Sequence, residues 1–248
     1  MSQYQQPEYL GQRETVGTLA YAAPEATRGS FIRKTYLHLL GAVLALAAID
    51  TAILTLVPAE TLNAIFGTVL GGQWGWLIVL GAFMLVSWIA ESMARSATSI
   101  GIQYAGLSLY VVAQAVILVP LLWIATTVPA FDGILFQALV ITVVMFGSLT
   151  AFVMLTGYNF GFLRGILMIV GIGAMIGIIG SIAFGFTLGL WFTVLMIAFA
   201  CGSILYQTSA VMHDYRIGQH VAASLALFAA VALLFWYVLR LLMSLRNE

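Results

Sequence analysis

From Tyr36 onward, the chain consists of long apolar runs separated by short polar or glycine-containing breaks. A helix that crosses the hydrocarbon core of a bilayer needs about 20 apolar residues, at a rise of about 1.5 Å each. Seven runs meet this length and predict seven membrane-spanning helices. The predicted spans are Tyr36–Val57, Trp74–Ala94, Gly101–Thr126, Gly133–Leu155, Phe162–Ala183, Thr187–Gln207 and Val221–Met243.

The breaks between the runs contain residues typical of turns. Pro58 and Pro129 follow the first and third spans, and Asn159 lies between two glycines after the fourth. The boundary between the fifth and sixth spans is the weakest, because Ser181–Phe186 is barely polar. Six spans, with this region as a re-entrant hairpin, are therefore the alternative. Both numbers predict an all-α fold, a polytopic membrane helix bundle.

Residues 1–35 differ from the rest of the chain. They contain three acidic and four basic side chains: Glu8, Glu14, Glu25, Arg13, Arg28, Arg33 and Lys34. No apolar run interrupts them, so they do not form a cleavable signal peptide. Such a polar segment predicts a mostly disordered tail. The expected organisation is a tail over residues 1–35 and one transmembrane domain over residues 36–248.

The distribution of basic residues predicts the orientation, because cytoplasmic loops are enriched in Lys and Arg. Arg95, Arg164 and Arg216 fall in the second, fourth and sixth breaks, and the first, third and fifth breaks contain no Lys or Arg. Seven spans with a cytoplasmic N-terminus place all of these charges, and those of the tail, on one side. With seven spans, only Arg240 and Arg246 lie on the non-cytoplasmic side, against the rule. Six spans would place them in the cytoplasm.

The composition narrows the class of protein further. Hydrophobic residues make up 62% of the 248 residues and charged residues only 7%, with nine basic and nine acidic side chains. Soluble domains are about 25% charged, so lipid must cover much of this surface. The balanced charge excludes a basic surface for nucleic acid. The single cysteine, Cys201, excludes an intrachain disulfide framework.

Charges inside a bilayer are costly and therefore informative. Asp50 lies within the first predicted span and is a candidate cation or proton site; the alternative is a hydrogen bond to a neighbouring hydroxyl such as that of Thr51. Glu91 and Arg95, four residues apart at the end of the second span, predict an interfacial ion pair.

Other polar groups have structural explanations of similar weight. His213, Asp214 and His220 share one loop and could hold a metal, or could be ordinary exposed residues. No metal site is assigned, no cofactor is expected, and no set of nucleophile and base indicates an enzyme. Glycines recur every four residues at Gly157, Gly161 and Gly165, at Gly173 and Gly177, and at Gly185 and Gly189, a spacing that predicts close helix packing.

Three segments resemble the Bax inhibitor family of transmembrane proteins, in particular its bacterial branch. They are Arg33–Leu39 at the start of the first span, Gly202–Ser209 at the end of the sixth, and Leu239–Leu242 in the seventh. The resemblance covers the chain after the tail in span number, spacing and order. It implies a central span surrounded by the other six, and a pH-sensitive calcium leak gated by two hydrogen-bonded aspartates with a responsive arginine.

The chain departs from this pattern at the gate. Where the family has Tyr-Asp in the sixth span, this chain has Tyr206-Gln207, and the second acid position falls at Ala230 or Phe228. Arg95 matches the arginine position. Because glutamine does not titrate in the physiological range, a shared-proton gate cannot operate here. The candidate gate or pore residues are Arg95, Gln207, Ala230, Asp50 and Tyr206.

Two functions follow from these observations. The first is an ion leak channel or ion-homeostasis protein, calcium being the expected cation, with an altered or lost pH gate. The second is a non-transporting membrane protein that modulates other membrane proteins or stress responses. Apart from the lipid bilayer and cations, no partner is indicated, nucleic acid is excluded, and the expected location is a bacterial plasma (inner) membrane.

Overall fold

The computed structural model describes residues 17–71, 74–96 and 99–246. These residues form eight α-helices. In chain order the helices are α1 (Glu25–Leu56), α2 (Ala59–Leu70), α3 (Gly75–Ala94), α4 (Ile100–Thr127), α5 (Ile134–Thr156), α6 (Leu163–Phe184), α7 (Gly189–His213) and α8 (His220–Arg246). Short 3₁₀ turns at Ala20–Ala22 and Pro129–Phe131 precede α1 and α5.

Seven of these helices are long and apolar enough to cross a membrane, which confirms the predicted all-α bundle of seven spans. The exception is α2, whose 12 residues are too few. The weak boundary contains a real break: α6 ends at Phe184 and α7 begins at Gly189. Gly185 and Gly189 adopt φ angles of 72° and 62°, a left-handed conformation that suits glycine. The six-span alternative is therefore wrong.

The first helix begins at Glu25, whereas hydropathy places the start of the first span at Tyr36. Pro24 precedes the helix and Glu25 occupies its first turn, where a negative charge complements the helix dipole. The 32 residues of α1 extend about 48 Å, so its charged first turns can project beyond a hydrocarbon core of about 30 Å. The acidic and basic residues before position 17 lie outside the described residues.

The segment before α1 pairs with the loop between α7 and α8. The backbone of Leu19 forms an antiparallel bridge with Arg216, and the Arg216 guanidinium donates a hydrogen bond of 2.7 Å to the Gly17 carbonyl. At the far end of α8, Arg246 donates to the backbone oxygens of Ala130 and Asp132, between α4 and α5. The start of α1 and the end of α8 thus lie at opposite ends of the bundle, as an odd number of crossings requires. That the α1 end is cytoplasmic stays a prediction.

The last helix is the core of the bundle. In its most apolar stretch, 67% of the α8 residues are buried, against 6% in α6. It packs against α1, α3, α4, α5 and α7, whereas α6 packs mainly on α7. The bundle thus has a central span, as the family resemblance implies; the structure shows that it is the seventh and that five helices rather than six surround it closely.

The glycine repeats do not produce the predicted close packing. Gly157, Gly185 and Gly189 have positive φ angles and lie at helix ends, and a Cβ built on Gly165 or Gly173 would meet nothing within 4 Å. The close approach occurs instead at Gly106 in α4, where a Cβ would lie 2.5 Å from the Ala90 carbonyl oxygen of α3. In this bundle, regular spacing marks turns and open surface more often than contacts.

Candidate functional site

Asp50 lies on the inward face of α1. Leu39, Ala42 and Leu46 precede it along the same buried stripe, at the spacing of one helix face. The Asp50 side chain is only 4% exposed, and six residues separate it from the end of α1, a depth of about 9 Å. An acidic side chain therefore faces the protein interior within a membrane span.

One oxygen of this carboxyl group is unsatisfied. Asp50 Oδ1 is buried and has no hydrogen-bond partner in the described part of the chain. The Thr51 hydroxyl is therefore not a partner of this oxygen. For Oδ1, the alternative of a hydrogen bond to the adjacent hydroxyl is not realised.

A buried amide lies at a similar height on α4. His38 of α1 and Tyr104 of α4 are joined by a 2.7 Å hydrogen bond, which sets the two helices at a common level. Counting from this contact, Asp50 lies about 18 Å and Gln114 about 15 Å further along their parallel helices. The Gln114 side chain is 7% exposed. Gln114 is thus a buried polar side chain of α4 within about 3 Å of the level of Asp50 along the bundle.

Glu91, Arg95 and Tyr206 lie close enough to Tyr215, in the loop before α8, to influence it electrostatically. Burial raises the pKa of Tyr215 to about 12; the positive charge of Arg95 opposes this, and Tyr206 and Glu91 add to it. Arg95 caps the end of α3, with its N–H donating to the Glu91 carbonyl. Among the described residues no direct contact joins the Glu91 and Arg95 charges, so their ion pair stays a prediction.

His213 and His220, which share a loop with Asp214, have separate partners in the structure. His213 Nδ1 lies 2.9 Å from the Ser209 carbonyl oxygen of its own helix, whereas the His220 ring lies edge-on to His38, with 4.9 Å between ring centroids. In the described residues, no three His, Cys, Asp or Glu side chains are grouped to hold a metal ion.

The sequence profile of a protein family described as inhibitor of apoptosis-promoting Bax1 matches residues 28–247, nearly the whole chain. The chain belongs to the Bax inhibitor family. No curated protein and no solved structure matches the chain in parallel comparisons.

The two positions that correspond to the gate of the Bax inhibitor family lie on α7 and α8 of this protein. Gln207 is half-buried on α7. On α8, Ala230 is 5% exposed and Phe228 is 1% exposed, and the Phe228 ring meets the Tyr110 ring edge-on at 5.9 Å between centroids. Neither gate position carries an acid, and the α8 side of the site is closed by packed apolar groups. Asp50 lies on a different helix from both positions.

The structure also contains a polar cluster that the sequence does not predict. The Tyr36 hydroxyl of α1 points towards Thr150 of α5 and Thr208 of α7. Thr208 is fully buried and Thr150 nearly so, yet none of these oxygens makes a hydrogen bond of good geometry within the described residues. Isolated hydroxyls on three helices leave no pattern in the sequence, so no signal there could have identified the cluster.

Proposed function

We propose that this Bax inhibitor family protein is a cation leak, with calcium the expected ion, in which Asp50 is the cation-binding side chain. The buried and unpartnered Asp50 oxygen carries the proposal. A carboxylate in the interior of a membrane protein is expensive and needs a positive partner. No Lys or Arg contact to Asp50 is seen in the described residues, so a passing cation can supply that charge.

The chemistry of the site suits a weakly held cation. Carboxylate and amide oxygens are the ligands that calcium prefers; Asp50 offers the carboxylate, and Gln114 is a buried amide at a similar level on α4. One carboxylate is far fewer ligands than a tight calcium site uses, and conduction requires that the ion also leaves. This supports a leak rather than a calcium store.

The proposal includes an altered gate. With Gln207 and Ala230 at the two acid positions, no pair of carboxylates shares a proton, so conduction should depend less on pH than in a relative that has both acids. We further propose that the protein acts in a bacterial plasma membrane, with its N-terminus in the cytoplasm and without enzymatic activity.

One observation favours a second function, that of a non-transporting protein that modulates other membrane proteins or stress responses. The central helix is tightly packed, and Phe228 fills the space beside the α8 gate position. If this packing closes the bundle, ions have no path through the membrane alongside α8. Flux measurements distinguish the two functions.

The test is calcium flux into liposomes that hold the purified protein, for the natural sequence, Asp50→Asn and the control Glu60→Gln. Glu60 is exposed on the short helix α2, so Glu60→Gln removes the same charge at a site away from Asp50. We expect flux in the natural protein and in the control, and at least a tenfold reduction in Asp50→Asn, or about 1.4 kcal/mol. Equal flux in all three would refute the role of Asp50.

A double variant, Gln207→Asp with Ala230→Asp, tests the gate. Run at pH 6 and pH 8, it should gain a pH dependence that the natural protein lacks. Flux only in the double variant would show that the natural chain is sealed and would favour the modulatory function. A steep pH dependence in the natural protein would contradict the altered gate.

A further inference from the structure

A second acidic side chain borders an open crevice at the end of the bundle opposite Asp50. The crevice has a volume of about 300 Å³ and lies between α3 and α4. Its lining residues are Phe83, Met84, Ser87, Trp88 and Glu91 of α3, and Tyr110 of α4. The five residues of α3 follow the spacing of a single helix face, so the crevice runs along the helix axis.

The polar end of the crevice is at Glu91. This side chain is exposed and lies three residues before the end of α3, about 5 Å along the axis. One turn deeper, the Ser87 hydroxyl is buried and has no hydrogen-bond partner among the described residues. The Tyr110 hydroxyl lies close to both. One negative charge and two hydroxyl oxygens thus converge on the same short stretch of the wall.

The remaining wall is apolar and aromatic. Phe83 meets Tyr110 edge-on, with 5.9 Å between ring centroids. Trp88 is 70% exposed and Met84 is 50% exposed, so the crevice opens sideways to the lipid. A carboxylate beside aromatic rings is a combination that favours an organic ammonium group, because the ring faces attract cations as well.

We propose that this crevice binds a single-chain amphipathic ammonium molecule. Its ammonium group lies against the Glu91 carboxylate and accepts further stabilisation from the Ser87 and Tyr110 oxygens and the Trp88 ring. Its apolar chain runs towards Phe83, which is eight residues or about 12 Å deeper in the membrane. Head near the surface and chain towards the centre is the orientation that an amphiphile adopts in a bilayer.

The charge order along α3 favours this ligand over a diacyl phospholipid with an ammonium headgroup. In such a lipid the phosphate lies between the ammonium and the chains, so with the ammonium at Glu91 the phosphate would fall beside Ser87 and Met84, where α3 offers no cation. Arg95, the nearest basic residue of α3, lies on the other side of Glu91, towards the surface. A single-chain ammonium avoids this mismatch.

The test measures binding of radiolabelled decyltrimethylammonium by equilibrium dialysis to the full chain in phosphatidylcholine nanodiscs, with empty discs as the blank. We expect saturable binding, a loss of affinity of about tenfold or more in Glu91→Gln, and near-natural affinity in Glu91→Asp. Glu60→Gln is the matched control and should bind normally. Arg95→Gln should strengthen binding, because it removes a positive charge near the ammonium.

Three results would overturn the proposal. Binding that survives Glu91→Gln would show that the carboxylate is not used. Equal, Glu91-independent binding of the uncharged decyl maltoside would indicate a general apolar surface. Displacement of the probe by phosphatidylethanolamine in the discs, without displacement by free alkylammonium, would assign the crevice to a lipid headgroup. Asp50 variants should leave binding unchanged, so this result and the flux result are independent.

Discussion

The sixth and eighth helices have nearly the same hydropathy and opposite environments. Their most apolar stretches have mean hydropathies of 2.5 and 2.3, yet 6% of the first and 67% of the second is buried. In a soluble protein such a difference would show as a polar face on the exposed helix. In a bilayer the solvent is as apolar as the core, so hydropathy identifies spans without telling which span is central.

Small residues do not resolve the ambiguity either. The central helix is rich in buried alanines, including Ala222, Ala223 and Ala230, which permit close approach of its neighbours. The peripheral α6 has more glycines, and two of them, Gly165 and Gly173, face open space. Contacts with neighbouring helices, rather than the composition of a helix, therefore determine which helix forms the core of this bundle.

A pair of side-chain truncations should show the largest difference between the central helix α8 and the peripheral helix α6. Phe228→Ala in α8 should destabilise the protein by about 3 kcal/mol, because it removes a fully buried ring and leaves a cavity. Ile169→Ala in α6 should have an effect close to zero, because Ile169 is 73% exposed and lipid fills the space. Thermal unfolding in one detergent measures both. Similar losses in the two variants would contradict the assignment of core and periphery.

The glycines offer a second, smaller test. Gly106→Ala should destabilise by about 1–3 kcal/mol, since the new Cβ would meet the Ala90 carbonyl oxygen and the Ala94 nitrogen, at 2.5 and 2.8 Å, and push α3 from α4. Gly173→Ala meets nothing within 4 Å and should be neutral or slightly stabilising. The same unfolding assay applies, and a tolerant Gly106 would show that this contact is loose.

The smallest expected effect is on the pH dependence of stability, when a tyrosine is replaced in the loop before α8 or in the loop before α6. Burial raises the pKa of Tyr215, before α8, to about 12, from about 10 in an unfolded chain. The folded protein therefore holds this proton more tightly, and the associated stability is complete below about pH 10 and lost as the pH rises towards 12. Tyr215→Phe should flatten the fall in stability over this range. Tyr158→Phe, at a 59% exposed position before α6, is the control and should not. An unchanged fall in Tyr215→Phe would contradict the burial.

The spans could be predicted from the sequence because length and hydropathy act locally. The start of α1 could not, because the polar residues from Glu25 to Lys34 continue the helix beyond the lipid, where hydropathy gives no signal. The family resemblance implied a central span but not which of the seven it is; the position of α8 could not be predicted, because it depends on contacts with five other helices.

The candidate site was predictable only in part. Asp50 could be identified because a charge in an apolar run is conspicuous, whereas its missing partner depends on how α1 packs. Gln114 and the hydroxyls of Tyr36, Thr150 and Thr208 are ordinary residues in the sequence and become notable only through burial.

The central position of α8 has a consequence for biosynthesis. Of the seven spans, the one that forms the core leaves the ribosome last. Until α8 is inserted, the helix surfaces that pack against it can contact only lipid or one another. The bundle is complete only when α8 replaces those contacts. A chain arrested before His220 lacks the helix against which five others pack, so its core cannot form.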